Sequence, residues 1–162
     1  MTIRIFATGG TFDKVYYDAL SEFKIGEPMA APLLEEANVN FDYEVESLLK
    51  KDSLEMTDAD RELIRKAVEN AGESMILVTH GTDSMVASAK ALEGIAGKTI
   101  VFLGAMQPAR MRYSDAMYNL GVATTAAQIL PAGIYIAMNG QIFNPFEVTK
   151  NRAQSRFEPT VG

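Results

Sequence analysis

Three short runs decide what this chain can become. Residues 75–78, 99–103 and 134–138 are nearly unbroken apolar stretches, rich in Ile, Val, Leu and Phe, and a helical pattern separates each from the next. A strand with one wet face alternates polar and apolar residues. A strand that is apolar at every position needs cover on both faces, as in a parallel sheet between two layers of helices. Residues 3–7 read as a short first strand, and residues 43–49 alternate and read as a second strand.

The helices follow from their own signals. Thr57-Asp58-Ala59-Asp60 resembles a capping box with Asp in place of Glu. Leu63, Ile64, Ala67, Val68 and Ala71 then repeat at helical spacing, and Gly72 suits the position just beyond the end. A helix is expected over about 83–92 and a longer one over 114–130, ended by Pro131. Residues 13–41 read as irregular, with Pro28 and Pro32 as breakers and a short helical patch over 33–37. The order β, β, α, β, α, β, α, β calls for an open, mostly parallel, doubly wound α/β sheet. This is a Rossmann- or flavodoxin-like single domain over residues 1–162.

Sheets of that class bind ligands outside the carboxyl ends of their strands. Polar or glycine-rich clusters fall at those ends. Thr8-Gly9-Gly10-Thr11 follows the first strand, Ser53 the second, and His80-Gly81-Thr82-Asp83 the third. Gly104-Ala105-Met106-Gln107 follows the fourth, and Lys150 comes after the fifth. Turn-making and capping would explain any one of these loops; Thr82, for instance, could be an N-cap. They do not explain all the loops jointly.

Composition removes several kinds of chemistry. There is no cysteine, so no thiolate or disulfide, and a single histidine cannot build a His-rich metal site. The net charge of −6, from 15 basic and 21 acidic residues, argues against nucleic acid and against an anionic membrane surface. No run approaches a transmembrane span, and no secretory signal is read, so the cytoplasm is the expected compartment. Gly9-Gly10 lacks dinucleotide spacing, and neither a P-loop nor a Gly-x-Ser-x-Gly elbow occurs. A lone histidine directly before a glycine is more often structural than a base. Hydroxyls, one carboxylate and one lysine remain. A threonine hydroxyl needs a base to become a nucleophile. Two groups could serve: a tyrosine in a loop just after Thr11, or a buried lysine acting on Thr82 with Asp83 orienting it.

These motifs, in this order and spacing, resemble the L-asparaginases of the bacterial type I/type II family. Asp52-Ser53 with Glu55-Met56 looks like that family's substrate-carboxylate loop. Asp115 and Asn119 look like its signature in the helix after the fourth strand. The resemblance covers nearly the whole chain and implies hydrolysis of L-asparagine to L-aspartate and ammonia, with no metal or organic cofactor. It implies Thr11 as nucleophile, activated by a loop tyrosine, here Tyr16 in preference to the adjoining Tyr17. It implies Thr82, Asp83 and Lys150 as the second catalytic group. Ser53 would take the substrate α-carboxylate and Asp83 its α-ammonium, with Thr82 and Ala105 also in the substrate-binding set.

There are departures. The family's smaller C-terminal domain is not in this chain, which is therefore like the short-chain asparaginases or a fragment of a longer protein. Gln107 replaces an arginine, Leu54 replaces a polar residue, and the loop from Thr11 to its tyrosine is compressed. The stretch from Thr11 to Phe23 is expected to lack regular structure and act as a lid. The partners expected are the small-molecule substrate and other copies of the chain. An amino-acid-binding module without turnover is the competing reading, and an ammonia-supplying role in a glutamyl-tRNA amidotransferase is a more distant one.

Overall fold

The computed structural model describes residues 1–160. Its centre is a six-stranded sheet in the order β4-β1-β5-β6-β7-β8. The strands are β1 (Thr2–Gly9), β4 (Asp42–Lys51), β5 (Met75–Thr79), β6 (Thr99–Leu103), β7 (Gly133–Met138) and β8 (Gln141–Phe143). All neighbours pair in parallel except β8, which runs antiparallel along the β7 edge. The expected doubly wound sheet is therefore present, in the flavodoxin-like order.

The apolar runs are buried on both faces, as their lack of alternation requires. Ile76, Val78, Ile100 and Phe102 point to one layer, with Ile64 and Val68 of α2 (Asp58–Asn70) and Met85 and Ala89 of α3 (Met85–Lys90). Leu77, Val101 and Leu103 point to the other, with Leu33 and Leu34 of α1 (Ala30–Glu36) and Leu120 and Ala123 of α4 (Ala116–Ile129). The capping box at α2 is complete: Thr57 accepts from the Asp60 N–H and Asp60 accepts from the Thr57 N–H. Gly72 stands one place beyond the α2 C-cap, Ala71, but without left-handed backbone, and Leu63 is largely exposed rather than part of the buried stripe.

Residues 13–41 are more regular than expected. A hairpin, β2 (Lys14–Tyr17) and β3 (Glu22–Ile25), pairs antiparallel with itself and forms a separate two-stranded sheet. Its strands are four residues long and mostly exposed, so no buried face imprinted an alternation on the sequence. Pro32 lies in the first turn of α1, where its missing N–H has no intrahelical partner to lose. A second hairpin, β9 (Val148–Asn151) with β10 (Arg156–Pro159), follows β8.

Candidate active site

In this strand order the chain reverses direction across the sheet between β1 and β5. Crevices at such points are where open α/β sheets take ligands. The loops that meet there interlock without side chains between them. Gly9 and Gly10 turn the chain off β1 with φ of 104° and 74°, which only glycine adopts freely. A Cβ on Gly10 would stand 2.5 Å from the Gly81 Cα, and one on Gly81 would stand 2.5 Å from the Ser53 Cβ. Gly10, Gly81 and Ser53 thus stack in direct contact. Thr11 and Thr82, each following one of the touching glycines, belong to the same lip. Below them the Thr8 hydroxyl donates to the Thr79 carbonyl at 2.8 Å, tying β1 to β5.

On the β5 side the polar groups are joined. Lys150, on β9, donates from Nζ to Thr82 Oγ1 and to Asp83 Oδ1, both at 2.7 Å. Arg152 Nε adds a bond to the same Asp83 oxygen at 3.1 Å. The Lys150 ammonium, reinforced by Arg152, holds the Asp83 carboxyl below its ordinary value despite partial burial. Helix α3 starts at Met85 with Ser84 as its N-cap, so neither Thr82 nor Asp83 is used for capping. Ser53 is buried, and its hydroxyl accepts from the Asp83 N–H at 3.0 Å, which leaves the Ser53 proton to donate elsewhere. Thr82, Asp83, Val86 and the Val148–Arg152 stretch border a cleft of about 440 Å³.

The β1 side is different. Thr11 is partly exposed at the start of a single 3₁₀ turn, Thr11–Asp13, which fully buried Phe12 anchors. Tyr16 and Tyr17 lie on the β2–β3 hairpin, about half exposed. The Tyr16 ring packs on Phe23 with centroids 5.3 Å apart, and among the described residues no hydrogen bond joins Tyr16 to Thr11.

Ala105 is buried in the loop after β6. Asp115 accepts the N–H groups of Met106 and Gln107 at 2.9–3.0 Å. Asn119 donates to the Gly104 carbonyl at 2.9 Å and to Asp115 at 3.0 Å. These two signature residues brace the loop. His80 is fully buried, and its Nδ1 lies 2.7 Å from the Gly81 carbonyl, so Nδ1 carries the proton. Burial pushes its pKa down to about 4, which makes it a neutral structural residue at pH 7.

Sequence reasoning missed two residues. Arg152 carried no signal beyond its nearness to Lys150. Asp13, the last residue of the Thr11–Asp13 turn, is 2% exposed and accepts from the Met29 N–H at 2.9 Å. Burial pushes its carboxyl up to about 7 against the pull of that N–H, Arg110 and Lys50.

Comparison with known proteins settles the lineage. Residues 2–158 match the family described as Asparaginase, N-terminal. The chain belongs to that family. It is 30% identical over 159 residues to a probable periplasmic L-asparaginase of Haemophilus influenzae, covering 91% of this chain and 46% of the relative. It is 33% identical over 154 residues to a component of the glutamyl-tRNA(Gln) amidotransferase of Methanosarcina acetivorans, covering 89% of this chain and 36% of that protein. The thermostable L-asparaginase from Thermococcus kodakarensis superposes with a TM-score of 0.85 at 26% identity, over 98% of this chain and 51% of its own. The chain thus spans about half the length of that structure, and less than half of the two curated relatives.

Proposed function

We propose that this domain hydrolyses the side-chain amide of L-asparagine, releasing L-aspartate and ammonia. The observation that carries the proposal is the Lys150–Thr82–Asp83 cluster, set on the lip where the Gly10–Gly81 contact also brings Thr11. Thr11 Oγ attacks the amide carbonyl while its proton passes to the Tyr16 phenolic oxygen, which gives up its own proton toward the leaving nitrogen. The tetrahedral adduct collapses, and the C–N bond breaks as the leaving nitrogen takes a proton and departs as ammonia. Water then attacks the threonyl ester, giving aspartate and free Thr11.

Thr82 Oγ1 accepts from Lys150, so its own proton is directed away from the lysine, toward substrate or the attacking water. Asp83 stays anionic, and among the described residues its second oxygen has no hydrogen-bond partner, so it can take the substrate ammonium. Ser53 donates to the α-carboxylate. Ammonia release by the pure protein tests the proposal. Asparagine is expected to yield ammonia, glutamine less, and succinamate, which lacks the ammonium, little. Thr11→Ala is expected to release none. Asparagine bound in calorimetry but not hydrolysed would make this an amino-acid-binding domain instead.

The amidotransferase relatives support a second reading, in which the ammonia is passed to a partner enzyme. The net charge of −6 speaks against a direct tRNA contact. The cytoplasm is the compartment of this reading, and the periplasmic name of the H. influenzae relative is its competitor; cell fractionation decides between them. The working unit is a homo-oligomer in this reading.

A further inference from the structure

The loop after β6 does more than carry Ala105. Asp115 and Asn119 brace its first half, and its second half, Pro108 to Arg110, runs to the foot of the β2–β3 hairpin. There the Ala109 N–H donates to the Phe12 carbonyl at 3.2 Å. The Arg110 guanidinium joins both chains of the foot. Its Nη1 donates to the Asp13 carbonyl at 2.9 Å and its Nη2 to the Glu27 carbonyl at 3.1 Å. The Gly26 N–H donates to the same Asp13 carbonyl at 2.8 Å, so that oxygen uses both lone pairs. A Cβ on Gly26 would stand 3.3 Å from Arg110 Nη1, so the guanidinium lies directly against the glycine. Two ion pairs tie the foot to the end of β4, beside the Ser53 loop: Lys14 with Asp52 at 3.4 Å, and Glu27 with Lys50. Past these ties Tyr16, Tyr17, Leu20 and Phe23 are about half exposed, and the two strands pair only with each other.

We propose that Arg110 is a positioning residue for the amide reaction: it fixes the foot of the hairpin, and through the foot the approach of Tyr16 to Thr11. The inference rests on the amidohydrolase reading above. Three features set Arg110 apart from an ordinary surface arginine. First, its bonds go to backbone carbonyls on the two sides of the foot, 97 and 83 residues away in sequence. A rigid planar fork is the group suited to spanning two fixed acceptors. Second, one of those carbonyls belongs to Asp13, two residues after Thr11 and three before Tyr16. The bond therefore holds the point between nucleophile and activator. Third, the loop that carries Arg110 also carries Ala105, so the hairpin foot and that wall of the site are joined. The Lys14–Asp52 and Glu27–Lys50 pairs are partly exposed and hold the foot weakly by comparison. Reacting groups lose rate steeply when their mutual placement slips, so a loosened foot shows in turnover.

Steady-state ammonia release and amide hydrogen exchange on the whole chain test it. Arg110→Met keeps most of the stem and deletes the fork. It is expected to lower kcat for asparagine about 10-fold and to change KM less than about 2-fold, because Ser53 and Asp83 still hold the substrate. In a Tyr16→Phe background the same substitution is expected to lower kcat less than about 2-fold, because the group it positions is already gone. Exchange over residues 14–25 is expected to quicken roughly 10-fold in Arg110→Met and to stay unchanged in β5 and β6. Arg110→Gln, too short to span both carbonyls, is expected to give the same pattern and guards against misfolding of the methionine variant. Arg112→Met, on the same loop but with its guanidinium over the Tyr113 ring, is expected to match wild type. Equal losses of kcat in both backgrounds would make Arg110 a general brace and overturn the positioning role, as would an unchanged kcat. Unchanged exchange over residues 14–25 overturns the clamp. A wild type that releases no ammonia overturns the amidohydrolase reading and the positioning role with it. Exchange needs no turnover, so it still decides in that case whether Arg110 holds the hairpin.

Discussion

The two halves of the candidate site are built in opposite ways. The β5 half is fixed: Thr82 and Asp83 are joined to Lys150 across 68 and 67 residues of sequence, and Ser53 is buried against Gly81. The β1 half is half-finished. Thr11 sits on a short turn, and Tyr16, its activator in the proposed reaction, lies on an exposed hairpin that pairs only with itself. The difference teaches where the proposed reaction would need movement. In the proposed reaction the fixed half grips the two charges of the amino acid without rearrangement. If Thr11 and Tyr16 react as proposed, the hairpin has to carry Tyr16 to Thr11, as mobile segments do in enzymes that close on their substrates.

The comparison can be broken most severely by deleting the reacting groups. Thr11→Ala, Thr82→Ala and Lys150→Met are each expected to lower kcat at least ~10³-fold, on the order of 4 kcal/mol of barrier, with the fold retained. A folded variant keeping more than about a tenth of wild-type kcat removes that residue from the mechanism.

The next effect concerns stability beneath the β1 half. Asp13 has a folded-state pKa raised to about 7, above that of an unfolded carboxylate. The folded state therefore holds its proton longer, and stability is lost as pH rises from the ordinary carboxylate range through 7. The shift corresponds to roughly 4 kcal/mol as an upper bound. Fully buried His80 works the other way: its pKa is lowered to about 4, so its contribution is lost as pH falls from about 6.5 toward 4. The two offset each other in acid, and only Asp13 acts near pH 7. Asp13→Asn keeps the acceptor for Met29 and is expected to raise Tm at pH 8 while leaving a monotonic acid loss. Equal melting shifts for both proteins from pH 5 to 8 would refute a strained Asp13.

A smaller effect separates the tyrosines. Tyr16→Phe is expected to lower kcat about 10²-fold, the lower range of general-base contributions, while Tyr17→Phe has little effect. The reverse pattern would exchange their roles, and no effect from either would mean that the hairpin does not reach Thr11. The smallest expected change is on the fixed side. Thr57→Ala deletes half of the capping box that follows the Ser53 loop and should cost about 1 kcal/mol in urea unfolding, with KM for asparagine little changed.

The sequence determined the frame by itself. Continuous apolar runs at 75–78 and 99–103 can be satisfied only with helices on both sides, and both runs are central strands here. It also determined where polar clusters would gather, because the carboxyl ends of parallel strands are fixed once the strands are. The Thr57 cap was readable for a local reason: its partner is three residues away. The β2–β3 and β9–β10 hairpins were not legible, since strands of four residues with little buried face leave no periodic trace.

Only the tertiary structure decided that Thr82 and Asp83 are free of capping duty, that Asp115 and Asn119 brace the β6 loop, and that Asp13 is buried at the end of the Thr11–Asp13 turn. It also decided that Arg152 shares the Asp83 oxygen with Lys150. Each depends on what lies nearby in space from a distant part of the chain. Burial and charge pairing act over a few ångströms through the fold, and the order of residues encodes that proximity only through the packing that brings it about.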